Sequence, residues 1–218
     1  MYYGHLSHKI MLNAKENEYL CIAIIHKVIN TMFEDALKFY QDFPKPGINF
    51  VDIIPLLQDK DIFRSLTQTI SSLVTAPTVA APEARAFLFA SPLLAMEGSV
   101  TNIVPFRKKG KLPSNGDDIQ EIAIIKEYGT DTLYFRKSDI AAGRIEDGEL
   151  RVTILDDVLA TGGTAEGIAK ALEALKITVD GKECRVRVAE FIFIVEIDCL
   201  EGRAALEKIA PVHAIAHV

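Results

Sequence analysis

The chain has 218 residues, 49% hydrophobic and 25% charged, with a formal net charge of −6. That balance suits a globular protein with a core of useful size and argues against a general nucleic-acid binder, which carries a basic surplus. The most apolar early stretch, 19–25, ends at His26 and Lys27, far short of the roughly 20 residues of a membrane span.

Residues 1–33 read as an N-terminal extension with helical character, and 34–218 as the main domain. "MFEDALKFYQDF" continues the helical pattern until Pro44, Pro46 and Gly47 stop it. "INFVDIIPLL" reads as extended. Asp59 or Asp61 then caps a helix whose apolar face is Ile62, Phe63, Leu66 and Ile70. Strands and helices alternate from there. "PTVAAP", "VTNIVPF", "TDTLYFR", "RVTILDD", "CRVRVAEFIFIVEI" and "VHAIAHV" are strands. "AFLFASPLLAME", "SDIAAGR", 164–176 and "LEGRAALEKI" are helices. "RKKGKLPSNGDDIQEIAIIKEYG" is a long polar loop that begins with four bases. Such alternation predicts an α/β fold with a mostly parallel twisted sheet flanked by helices. Ligands of such sheets bind beyond the carboxyl ends of the strands.

Three cysteines, Cys21, Cys184 and Cys199, form no C-x-x-C pair, and five histidines form no H-E-x-x-H pair. A disulfide framework or zinc site is not expected. The N-terminus lacks the pattern of a secretory signal, so the cytoplasm is the expected compartment.

The most informative stretch is "VTILDDVLATGGTAEGIAKAL". A buried strand ends in Asp156-Asp157, and Ala160, Thr161, Gly162, Gly163 and Thr164 lead into an amphipathic helix. Backbone N–H groups at a helix start lack intrahelical partners and favour an anion. Glycines let the backbone curl close to it, so 160–164 form a phosphate cradle. Neither a Walker loop nor a dinucleotide fingerprint is present. The adjacent carboxylates suit a sugar diol or a magnesium ion bridging that diol. Phosphate and diol together describe a ribose 5-phosphate. The plain alternative is a capped turn between strand and helix.

"VTILDDVLATGGTA" resembles the phosphoribosyl-pyrophosphate motif of type I phosphoribosyltransferases, and within them the adenine phosphoribosyltransferase family. "DFPKPGINFVDIIPLL", "EARAFLF", "VPFRKKGKLP", "EYGTDTL" and "LEGRAALEKIAP" extend the likeness over 34–218. The resemblance implies a small N-terminal hood at about 34–58 and a flexible catalytic loop at about 107–130. It implies purine salvage: adenine and phosphoribosyl pyrophosphate give AMP and pyrophosphate, with Mg²⁺ held mainly through substrate, or by Asp156 or Asp157. Ala84, Arg85 and Lys111 are implied to bind pyrophosphate, with a cis peptide at Glu83–Ala84. Arg107 and Lys111 are expected to close over the phosphates, ahead of Lys108 and Lys109. Glu127, beside Tyr128, is implied to exchange a proton with the purine, and Glu196 is a lesser candidate. Asn49, Phe50, Val51 and Val158 are implied to hold the base. The family implies a homodimer and small-molecule partners, with no nucleic acid or membrane.

Three positions depart from the family pattern: Val51 in place of arginine, Ala86 in place of glycine, and Ala90 where a glycine-led sequence is usual. They bear on base identity and efficiency more than on fold. Another purine, or a regulator that keeps the site without catalysis, are the competing readings. Residues 1–33 are too short and too weakly basic for a DNA-binding module.

Overall fold

The computed structural model describes residues 31–113, 116–126 and 129–218. The chain divides into two compact units at Ile62/Phe63.

In the first unit a helix, α1, is described over 31–36. Strands β1 (Lys38–Gln41) and β2 (Asn49–Asp52) form an antiparallel hairpin, with Gln41 opposite Asn49. The helical continuation expected through 38–43 is therefore wrong. Asp42 takes a left-handed φ of 57°, and its Oδ1 accepts the Gly47 N–H at 2.7 Å. That turn closes the hairpin, and cross-strand pairing overrides a weak helical preference. A 3₁₀ turn at Ile54–Leu57 follows. Asp59 Oδ1 then accepts the N–H groups of Asp61 and Ile62 at 2.8 and 3.0 Å, capping α2 (Lys60–Leu73) as expected.

The second unit is built on a sheet ordered β11–β10–β8–β3–β4, with all neighbours on that path parallel. Its strands are β3 (Thr78–Pro82), β4 (Asn102–Phe106), β8 (Glu149–Leu159), β10 (Lys182–Glu196) and β11 (Val212–His217). Short β7 (Ile145–Glu146) and β9 (Lys176–Val179) pair antiparallel with β8 and β10. The connecting helices are α3 (Ala86–Ala90), α4 (Lys137–Ala141), α5 (Gly163–Glu173) and α6 (Arg203–Leu206). Central strands read as near-continuous apolar runs because both faces are covered: Val152, Ile154, Phe191 and Phe193 are buried.

The long polar loop expected over 107–129 is in part a strand. Residues Ile119–Lys126 form strand β5, paired antiparallel with β6 (Gly129–Arg136). Ile122 and Ile124 are buried while Glu121 and Ala123 face outward, the period-two pattern of a half-buried strand. Ile122 lies opposite Leu133, and α5 packs against β5 and β10. The bases and Ser-Asn-Gly at the start of the segment mask this alternation in the sequence.

Candidate active site

Strand β8 delivers Asp156 and Asp157 to its carboxyl end, and α5 begins only a few residues later. Between them Gly162 sits at φ 81°, ψ −4°, a left-handed conformation that a residue with a Cβ rarely takes. The first helical bond runs from the Glu166 N–H to the Gly162 carbonyl at 2.9 Å. Among the described residues, the Thr161, Gly162, Gly163 and Thr164 N–H groups reach no protein acceptor. The turn thus offers a row of amide donors at the positive end of a helix.

These donors line a cavity of about 450 Å³. Asp156, Asp157, Val158 and Ala160–Thr164 form one wall, and Glu83, Ala84, Arg85 and Lys108 approach from another. Ile124, Leu133 and Phe193 supply apolar surface. Residues 83–85 and the cradle stand beyond adjacent parallel strands, β3 and β8, the position that open α/β sheets use for ligands.

Two of the charges within the site face each other. Arg85 Nε forms an ion pair with Asp157 Oδ2, and the Asp157 N–H donates to Asp156 Oδ1 at 2.8 Å. Burial, reinforced by the neighbouring Asp157 charge, raises the Asp156 pKa well above the usual carboxylate range. The two acids resist joint ionisation, and Arg85 relieves only part of that repulsion.

Glu83 was not among the expected site residues. Its side chain is only 6% exposed, and it accepts from Arg107 Nε at 2.6 Å and from Lys111 Nζ at 3.1 Å. Burial pushes its pKa up, but Arg107, the Lys108 N–H and Lys111 outweigh that and hold it at about 2. The Arg107 guanidinium also lies 5.6 Å from the Phe87 ring centre. Of the four bases at 107–111, Lys108 lines the cavity, while Arg107 and Lys111 grip Glu83. The Glu83–Ala84 peptide is cis, as the resemblance implied. The quoted "EARAF" contained the signal for Glu83: an acid two residues before the arginine, with a basic segment elsewhere to meet it.

Glu127 and Tyr128 lie outside the described residues. Asn49, Phe50 and Val51 belong to β2 of the first unit, where Phe50 packs edge-on against Phe43 at 5.1 Å and Val51 is buried. Val158 lines the cavity. Glu196 is a structural anchor: both its oxygens take Arg203 Nε, at 3.0 and 3.1 Å. His217 Nδ1 is 3.9 Å from Glu196 and 2.8 Å from Asp198.

No family model matches the chain. An adenine phosphoribosyltransferase of Clostridium acetobutylicum is 37% identical over 176 residues, 79% of this chain and 91% of that protein. One of Clostridium tetani is 38% identical over 181 residues, covering 80% and 92%. The chain belongs to the adenine phosphoribosyltransferase family.

The crystal structure of the Thermoanaerobacter pseudethanolicus adenine phosphoribosyltransferase is similar at a TM-score of 0.71 and 34% identity, covering 86% of this chain and 99% of that one. The Saccharomyces cerevisiae adenine phosphoribosyltransferase, solved with adenine and an imino-altritol bisphosphate, matches at 0.67 and 29%, covering 87% and 99%. This family member tolerates its departures locally. Ala86 opens α3 fully buried, and its φ is not positive, so the loop makes no demand for glycine conformation there. Ala90 closes the same helix, also buried.

Proposed function

We propose that this chain joins adenine to phosphoribosyl pyrophosphate, giving AMP and pyrophosphate. The observation that carries the proposal is the row of unbonded amides from Thr161 to Thr164 beside the Asp156-Asp157 pair. The family membership and the adenine-bound yeast relative support the choice of base.

In this reading Ala160–Thr164 hold the 5-phosphate, and Asp156 and Asp157 accept from the ribose hydroxyls. A purine nitrogen bonds to the anomeric carbon as the bond to pyrophosphate breaks. Glu127, with Tyr128 beside it, takes the proton that this nitrogen loses. Arg85 and Ala84 meet the departing pyrophosphate. Arg107 and Lys111 exchange Glu83 for its oxygens as the loop they begin closes over the site. The family resemblance assigns base binding to Asn49, Phe50, Val51 and Val158. The work of these residues is positioning and charge stabilisation of a sugar with oxocarbenium character.

The acid pair fits Mg²⁺ by donor type: Asp156 and Asp157 bring adjacent carboxylate oxygens, the hard donors that the ion takes, to the cavity lining. Held through the substrate and by Asp156 or Asp157, the ion would supply positive charge to the departing pyrophosphate. Among the described residues no helix is long and apolar enough to cross a membrane. A cytoplasmic homodimer, with no nucleic-acid partner, completes the proposal. Light scattering tests the dimer; a monomer at assay concentration contradicts it.

The activity test offers adenine, hypoxanthine and guanine separately with phosphoribosyl pyrophosphate and Mg²⁺. AMP from adenine alone is expected. Product only from another base, or none from any, refutes the assignment.

A further inference from the structure

We infer that Gly202 is a positioning residue for the phosphate-binding turn, locking it from behind. The inference rests on the cradle reading above. It concerns a segment, Asp198–Leu206, whose Gly202 is not among the residues lining the cavity.

Gly202 is buried and precedes α6, with φ −62° and ψ −26°. Those angles are open to any L-residue, and alanine is intrinsically preferred over glycine in such a conformation. Backbone freedom therefore does not explain a glycine here. Space does. A Cβ at Gly202 would stand 2.1 Å from the Ala160 carbonyl oxygen and 2.9 Å from both the Gly162 nitrogen and the Thr161 carbonyl carbon. Every one of those atoms is cradle backbone. The contact is reciprocal: a Cβ at Gly162 would stand 2.9 Å from the Gly202 carbonyl oxygen. Two glycines, 40 positions apart in the chain, interlock backbone against backbone.

The segment behind the cradle is itself fastened. Arg203, the next residue, grips both Glu196 carboxylate oxygens at the end of β10 and donates from Nη1 to the Val212 carbonyl at 2.7 Å. Glu196 and Val212 belong to strands of the central sheet. Arg203 thus ties Gly202 to the sheet, and Gly202 fixes how far the Ala160–Gly162 backbone can retreat. A methyl group at Gly202 needs a displacement of at least about 0.9 Å to bring the 2.1 Å approach to 3.0 Å. Misplacement on that scale costs on the order of 10²-fold where donors must converge on one anion.

The test is steady-state kinetics of the full chain with each substrate varied in turn. Gly202→Ala is expected to raise KM for phosphoribosyl pyrophosphate about 10–100-fold and to leave KM for adenine within about 2-fold. A general loss of stability would not separate the substrates. Gly163→Val, in the cradle itself, is run beside it. If Gly163→Val loses phosphoribosyl pyrophosphate and Gly202→Ala does not, the interlock is refuted and the cradle stands. If Gly163→Val keeps normal affinity, the cradle reading fails and the interlock fails with it. Should Gly202→Ala not fold, Arg203→Lys takes its place, because lysine cannot make the two-oxygen grip. A selective rise of KM for phosphoribosyl pyrophosphate is again expected, and unchanged KM refutes the inference.

Discussion

Glu83→Gln removes the charge on which Arg107 and Lys111 converge. The Glu83 side chain is only 6% exposed, and its pKa is lowered from 4.5 to about 2. A depressed carboxylate pKa contributes stability that is present above the unfolded value near 4.5 and is lost as pH falls toward 2. At about 1.4 kcal/mol per pH unit the interval sets a ceiling of roughly 3 kcal/mol. Arg107 and Lys111 are 31% and 54% exposed, so solvent screens the pairs strongly. About 1 kcal/mol is the reasonable expectation, or a Tm about 2–4 °C lower for a chain of this size. The assay is thermal unfolding of both proteins at pH 7 and again near pH 3.5, in low and high salt. The deficit should be largest at pH 7 in low salt, and should narrow both in acid and in about 0.5 M salt. Equal Tm at pH 7 in low salt would refute the electrostatic account of Glu83.

Gly163→Val should weaken ribose 5-phosphate binding by about 100-fold or more with an unchanged circular dichroism spectrum; calorimetry showing normal affinity contradicts the cradle. Asp156→Asn should stabilise the free protein, because burial and the Asp157 charge raise the Asp156 pKa. A raised carboxylate pKa means stability complete below the ordinary value of 3.8 and lost as pH rises, so the Tm gain should be larger at pH 8 than at pH 4. A gain that shrinks with pH reverses the sign and defeats the argument. Glu127→Gln should lower turnover about 10²-fold or more with little change in KM, and a normal turnover number removes Glu127 from proton transfer.

The acid pair and the glycine turn were legible because their chemistry is local. A helix start, a left-handed glycine and two carboxylates fall within a dozen residues of one another, and β8 and α5 place them as the pattern implied. What escaped the sequence is contact between distant segments. Glu83 meets Arg107 and Lys111 from 24 and 28 residues away. Arg85 closes on Asp157 across an even longer span. Gly202 resembles an ordinary helix-start glycine until its neighbours across the fold are known. Two local misreadings had local causes. Leu37 to Gln41 has a helical pattern, but the Asp42–Gly47 turn pairs it as a hairpin. The alternation of Ile122 and Ile124 was hidden by the polar run before it.

The most direct measurement follows the backbone amides of the isotopically labelled protein by NMR while ribose 5-phosphate is added. The account predicts downfield proton shifts at Thr161, Gly162, Gly163 and Thr164, saturating together. Ligand binding that leaves those four amides unmoved, with shifts clustered on another surface, would contradict it.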